Sequence, residues 1–195
     1  MLSDETLAQS ICAYAHTVEL AIKAAKKLKL PVPTTISFST RSLTEERINE
    51  LANGVVTGQC KIDSGSEFLY LFSLGPKNKT SVSTAMSAFD RARVRQSSKD
   101  YTGKKNLCRS NHRTPDSTVL YVGRSYSPRE RFKQHLRSTV GGTYAIHFLE
   151  WASNLNLQVD YRLYQLRDVE DKVAQVIEDG LWDHLKPLLG RRGEK

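Results

Sequence analysis

Apolar residues recur at three- and four-residue steps between residues 4 and 29, through Leu7, Ile11, Tyr14, Val18, Ala21, Ile22 and Leu28. That period places them on one face of a helix, which Pro31 and Pro33 must end. A short extended piece follows at 35–38. A second helix is predicted over 43–53, opened by Ser42 or Thr44 and closed by Gly54. Turn residues at 63–66 mark a boundary, and beyond it the pattern becomes strand-like. Residues 67–74 are an almost unbroken apolar run stopped by Gly75 and Pro76, 118–123 form a second run, and 157–166 alternate cleanly. Pro128 suits the first turn of a helix reaching about Ser138, with Ser127 as its cap and Gly141-Gly142 as its break. Further helices are predicted at 143–153 and 168–185. The last carries Val169, Val173, Val176, Ile177, Leu181 and Leu185 on its buried stripe and ends before Pro187. Between the first two strands lies a polar stretch with a helix near 82–95. The order predicts a small α/β domain at 65–195 with an insertion at 76–116, preceded by a helical N-terminal extension at 1–64.

Composition narrows the class. With 39% hydrophobic and 26% charged residues, the 195-residue chain can bury a core, so collagen-like, low-complexity and wholly disordered readings are excluded. No apolar run approaches the roughly 18 to 20 residues of a membrane span. The opening MLSDETLAQS has acids where an export signal needs lysines. Cys12, Cys60 and Cys108 are odd in number and widely spaced, which reads as reduced thiols in a cytoplasmic protein.

Charge adds more once it is divided. Residues 1–66 hold 7 basic and 7 acidic side chains, whereas 77–113 hold 10 basic residues against only Asp90 and Asp100. That stretch alone carries the excess of the whole chain, +8. A concentrated basic patch attracts phosphate backbones by releasing counterions, although a solvated basic loop has the same composition. Lys77, Lys79, Arg91, Arg93, Arg95, Lys104 and Lys105 are the candidate nucleic-acid contacts.

Three polar features could carry chemistry. Tyr70 and Tyr121 sit on two strands that neighbour each other in order, where tyrosine most often packs. Arg131 and His135 are four apart and share a helix face; the planar fork of one and the titratable donor of the other suit a phosphate, and a solvated face with Lys133 and Arg137 is the alternative. On the last helix Asp171, Gln175 and Glu178 share a face, and a carboxylate near phosphate-binding cations could hold a hard divalent ion. Cys108 and His112 with distant Cys60 are not a specific zinc pattern. No phosphate-binding glycine loop or nucleophile elbow is present. Trp151 and Trp182 read as core.

Together these pieces resemble the GIY-YIG nuclease superfamily over about 67–190. The closest match is Tyr121-Val122-Gly123-Arg124-Ser125, followed ten residues after the tyrosine by Arg131 and four later by His135. Glu178, with Pro187 nine residues on, resembles the family's metal-binding glutamate and the proline closing its helix. Phe68-Leu69-Tyr70 stands where the first motif belongs, with Phe68 and Leu69 in place of glycine and isoleucine. The two tyrosines are 51 positions apart, as in members with an insertion there. Gly190 stands where the family usually has asparagine, with Arg191 and Arg192 beside it.

The resemblance implies a central three-stranded sheet flanked by helices and a metal-dependent endonuclease. Tyr70 is the implied general base, helped by a cationic field from Arg131, His135 and the metal; Tyr121 would hold the water or phosphate. Arg131 would stabilise transition-state charge, Glu178 would bind Mg2+ or Mn2+, and Arg124 could grip a flanking phosphate. The expected partner is nucleic acid, DNA ahead of RNA, with no membrane and a homodimer left open. An RNA-cleaving enzyme and a catalytically weakened binding module of the same fold are the alternatives.

Overall fold

A computed structural model describes residues 3–55, 67–111, 117–137 and 142–193. The expected turn at 63–66, the boundary at 64, Cys60, His112 and Gly141 lie outside the described residues. Among these residues six α-helices surround one antiparallel sheet of four strands in the order β1-β4-β2-β3. The strands are β1 (Thr34–Ser39), β2 (Glu67–Leu74), β3 (Val119–Ser125) and β4 (Gln158–Leu166). The three-stranded expectation is therefore corrected to four. The extended piece at 35–38 is part of β1, which pairs along β4 from Thr34 opposite Leu163 to Ser39 opposite Gln158.

The central strand β2 explains its own composition. It is flanked by β3 and β4 and buried on both faces, so it reads as a continuous apolar run rather than an alternation. Phe68, Tyr70 and Phe72 face one side, where Ile48 of helix α2 (Glu45–Gly54), Phe89 of α3 (Val82–Ser97), Phe132 of α4 (Pro128–Leu136) and Phe148 of α5 (Phe148–Trp151) join them in the larger core. Leu69 faces the other side with Val122 and Leu166, covered by Ala174, Ile177 and Leu181 of α6 (Asp171–Leu185).

Local sequence sets the ends. Helix α1 (Asp4–Lys27) is capped by the Ser3 hydroxyl, with Asp4 and Glu5 in its first turn and Lys26 and Lys27 in its last, matching the helix dipole. Only a narrow stripe of it is covered: Ala21 is buried, with Val18 and Ala25 half-buried, whereas Leu7, Ile11, Tyr14, Leu20 and Ile22 stay exposed. The insertion is not a loose basic loop. Ala85, Ala88, Phe89 and Ala92 give α3 a buried face, and residues 107–110 run back along the domain through bridges from Leu107 to Ala145 and from Ser110 to Leu189. Those bridges explain why the predicted helix at 143–153 shrinks to Phe148–Trp151. Ala145 is held in an extended pairing with the insertion, and His147 turns the chain at φ 51°. Likewise α6 starts at Asp171 rather than 168, because Asp168 has φ 53°. The outer edge of β3 is covered as far as Leu120, where Leu188 and Leu189 donate to the carbonyls of Val119 and Leu120. Among the described residues no helix is long and apolar enough to cross a membrane.

Candidate active site

Tyr70 lies opposite Gly123, and Phe72 lies opposite Tyr121, so the two tyrosines project from the same sheet face one pleat apart. Their rings stack with centroids 6.1 Å apart and only 5° between planes. Gly123 makes this possible: a Cβ there would come within 2.7 Å of the Tyr70 hydroxyl and 2.8 Å of the Tyr121 ring. Helix α4 then brings Arg131 and His135 over the pair. Arg131 Nε donates to the Tyr70 hydroxyl at 3.1 Å, Nη2 donates to the Tyr121 hydroxyl at 3.4 Å and to the Tyr144 carbonyl at 2.9 Å, and Nη1 donates to Gln134 at 3.0 Å. A guanidinium has five N–H groups; the remaining one, on Nη1, has no partner among the described residues.

The tautomer of His135 follows from its neighbours. The Ile146 backbone N–H donates to Nδ1 at 3.2 Å, so Nδ1 carries no proton. The proton of the neutral ring is then on Nε2, 3.1 Å from the Tyr70 hydroxyl, and Nε2 is the donor of that bond. Burial, and next Arg131, hold His135 well below the ordinary histidine range. It is a neutral hydrogen-bond donor, so the expectation that it adds positive charge around Tyr70 is corrected. Two N–H groups converge on the Tyr70 oxygen and favour its anion, yet burial outweighs them and raises the phenol above its usual value. Tyr121 moves the same way, through burial first and then Tyr70. Burial opposes the charge on Arg131, but the two phenol oxygens more than compensate, so its ionisation is secured.

The second half of the site lies on the opposite face of the sheet. Arg124 follows Gly123, so its side chain points toward α6. Its Nε donates to Glu178 at 2.9 Å, and Nη1 donates to both carboxylate oxygens of Glu67 at 3.0 Å and to Asp171 at 3.0 Å. The Arg124 side chain is only 5% exposed. The structure thus places Arg124 inside an ion cluster and not where a flanking phosphate would lie. Glu67, an acid opening an apolar strand, is the partner that sequence reasoning missed. Burial, only partly offset by Arg124, pushes Glu178 up to about 7. The two buried carboxylates, Glu67 and Glu178, share the one Arg124 guanidinium, so the pair is short of positive charge. An oxygen-seeking divalent ion fits that deficit at Glu178. Among the described residues no group of three or more His, Cys, Asp or Glu is placed to hold a metal ion.

The two halves meet at the edge of β3, in an open groove of about 990 Å³ lined by Tyr121, Arg131, Glu178, Gly190, Arg93 and Arg109, among others. Tyr70 and His135 are fully buried and stand behind Tyr121. Gly190 forms the groove wall with φ +97°, and a Cβ there would meet the Tyr121 ring at 2.7 Å. Where the resemblance leads to an asparagine, the packing therefore requires glycine. Asn111, from the insertion, donates to the Gly190 carbonyl at 3.2 Å and to that of Pro187 at 3.0 Å.

The basic residues scatter. Arg93 lines the groove, but Arg95 pairs with Glu150 and Arg91 lines a separate hollow against α5. Lys77, Lys79, Lys104 and Lys105 are exposed and do not line the groove. Arg109 and Tyr144 do line it and were not singled out in the sequence, since nothing in their spacing marks them. Comparison of the chain with protein-family models, with curated proteins and with solved structures returned no match.

Proposed function

We propose that this chain is a metal-dependent endonuclease that hydrolyses phosphodiester bonds of nucleic acid, DNA ahead of RNA, in the cytoplasm. The observation that carries the reading is Arg131, which donates to both tyrosine hydroxyls at the rim of a groove that also reaches Glu178. A phosphate entering this groove meets the free Nη1 N–H of Arg131 and a fixed positive charge, which stabilises the pentacoordinate phosphorus as negative charge builds on its oxygens. Tyr121 is the phenol within reach of a groove water, and as its phenolate, which burial disfavours and the Arg131 N–H and a bound divalent cation would favour, it takes over the proton-accepting role first expected of Tyr70. Tyr70, held by Arg131 and His135, fixes the position of Tyr121 and polarises it from behind. Glu178 would hold Mg2+ or Mn2+, which supplies Lewis-acid stabilisation of a phosphate oxygen. Arg124 orients that carboxylate.

The test is a cleavage assay on plasmid DNA and on RNA, in Mg2+ and in EDTA, with the unaltered protein and Glu178→Gln. The expected result is cutting in Mg2+ alone, faster on DNA, and lost in Glu178→Gln with nucleic-acid affinity retained. Binding without cutting would instead make the fold a binding module, and preferential RNA cutting would make RNA the substrate. Wild-type cutting by Glu178→Gln would overturn the metal assignment.

A further inference from the structure

Tyr144 is the most exposed aromatic side chain of the groove, at 63%, yet its backbone carbonyl and the two residues that follow it are hydrogen-bonded into the site. Its carbonyl accepts from Arg131 Nη2 at 2.9 Å. The next residue, Ala145, is paired on both sides: its N–H reaches the Asn106 carbonyl at 3.2 Å and its carbonyl accepts from Cys108 at 2.9 Å. The residue after that, Ile146, donates to His135. The ring is thus anchored to the same two side chains that hold the tyrosine pair, and it is left uncovered. Exposing a large ring on a rigid backbone is unfavourable in isolation, but it preorganises a flat surface for a ligand with a matching face.

The groove chemistry specifies that ligand. Arg93 and Arg109 line the groove with Tyr144, and their guanidinium groups make no hydrogen bond or ion pair among the described residues. Cations beside an aromatic face are the pattern that recognises a nucleic-acid strand, with phosphates on the arginines and a base on the ring. Away from the ends of a perfect duplex every base face is already stacked on its neighbours, so within the duplex the ring can be stacked only by an unpaired or extruded base.

We infer that Tyr144 is a stacking platform for an unpaired base next to the phosphate held by Arg131, so that the groove takes a single strand or a duplex with an unpaired nucleotide in preference to a perfect duplex. This rests on the nuclease reading for the identity of the phosphate site. It can nevertheless be tested by binding alone, without cleavage.

The experiment measures affinity in EDTA by fluorescence anisotropy. The probes are one labelled DNA oligonucleotide as a single strand, as a perfect duplex and as a duplex with one unpaired nucleotide, plus the single strand as RNA. The full chain is compared with Tyr144→Ala and Tyr144→Phe. Because Tyr144 is exposed and its contact to Arg131 is made by the backbone, both variants should melt with the unaltered protein. Tyr144→Ala should weaken the unpaired probes by roughly five- to hundredfold, the range for losing one base stack, and leave the perfect duplex almost unchanged. Tyr144→Phe should bind like the unaltered protein. A 2-aminopurine at the unpaired position should be quenched by the unaltered protein and by Tyr144→Phe but not by Tyr144→Ala. Equal affinities for all probes, or an equal loss on paired and unpaired probes, would overturn the platform. Stacking with no cleavage of any probe after Mg2+ is restored would overturn the nuclease reading and leave the platform standing. Equal effects on the DNA and RNA strands would assign the platform to the base alone; an effect on one strand only would add the sugar to what the groove reads.

Discussion

Replacing Arg124 separates two incompatible jobs for that side chain. If it gripped phosphate, Arg124→Ala would weaken nucleic-acid binding and leave the fold alone. In the structure it is buried between Glu67 and Glu178, with side-chain exposures of 5%, 2% and 7%, while its third partner Asp171 is more than half exposed. The exposed pair contributes little. Removing the guanidinium strands two buried carboxylates, and breaking a buried ion pair in this one-sided way costs about 3–5 kcal/mol. For a chain of this size, each kcal/mol moves the midpoint by about 2–4 °C. Arg124→Ala should therefore melt about 6–20 °C lower at pH 8 in EDTA. The pH dependence has a defined sign. Glu178 already titrates at about 7 with Arg124 in place, and without it the carboxyl rises further. A carboxylate with a raised folded pKa weakens the fold above that pKa and ceases to do so below its unfolded value. The deficit should thus shrink as pH falls from 8 to 5.5. The assay is thermal denaturation followed by circular dichroism at the two pH values, beside salt-dependent binding to duplex DNA. A melting point within about 2 °C of the unaltered protein at pH 8, with the salt slope reduced by about 0.9, would refute the ion-cluster reasoning and return Arg124 to the phosphate.

Tyr121→Phe should lower cleavage by at least about a hundredfold, the usual loss on removing a proton-transfer group. Tyr70→Phe, acting through its neighbour, should lose less; the reverse order in a single-turnover assay would restore Tyr70 as the base. Gly190→Ala should destabilise the protein and impair cleavage together, since the methyl must displace the Tyr121 ring at an unfavourable φ; normal melting and activity would contradict that packing. The double variant Arg93→Ala with Arg109→Ala should reduce the slope of log affinity against log salt by up to about 1.8 on duplex DNA, whereas Lys104→Ala with Lys105→Ala should leave it nearly unchanged. Stabilisation of the protein by Mg2+, read as a thermal shift, should fade from pH 8 to pH 6, because the ion requires the ionised form of Glu178.

The site was legible where one short-range rule acted. Arg131 and His135 share a helix face because they are four apart, and Tyr70 and Tyr121 meet because their strands are neighbours in both sequence and sheet. The runs at 67–74 and 157–166 announced strands through burial alone. What was not legible depends on partners far along the chain. Arg124 looked like a free cation because Glu67 is 57 residues away and Glu178 is 54 away. Gly190 looked like a missing asparagine because nothing local shows the Tyr121 ring against it. The helix of the insertion near 82–95 was legible, but its packing into the core was not, because its charge masks the small apolar stripe of Ala85, Ala88, Phe89 and Ala92. The segment at 143–147 reads as helix in isolation and is pulled straight by the insertion.

The pairing of β1 with β4 has a consequence for how the protein is made. Ser37 of β1 donates at 2.6 Å to Asp160 of β4, 123 positions further along the chain. Ribosomes add about 5–20 residues per second, so β1 is complete on the order of 6–25 s before its partner strand exists. During that interval Phe38 and the apolar face of α2 have no sheet to cover them. Apolar surface left uncovered in this way is what chaperones bind in general, and slower translation through the basic insertion would lengthen the exposure. A strand that completes the sheet last also makes the N-terminal quarter of the chain the segment most open to capture by a neighbouring ribosome's product.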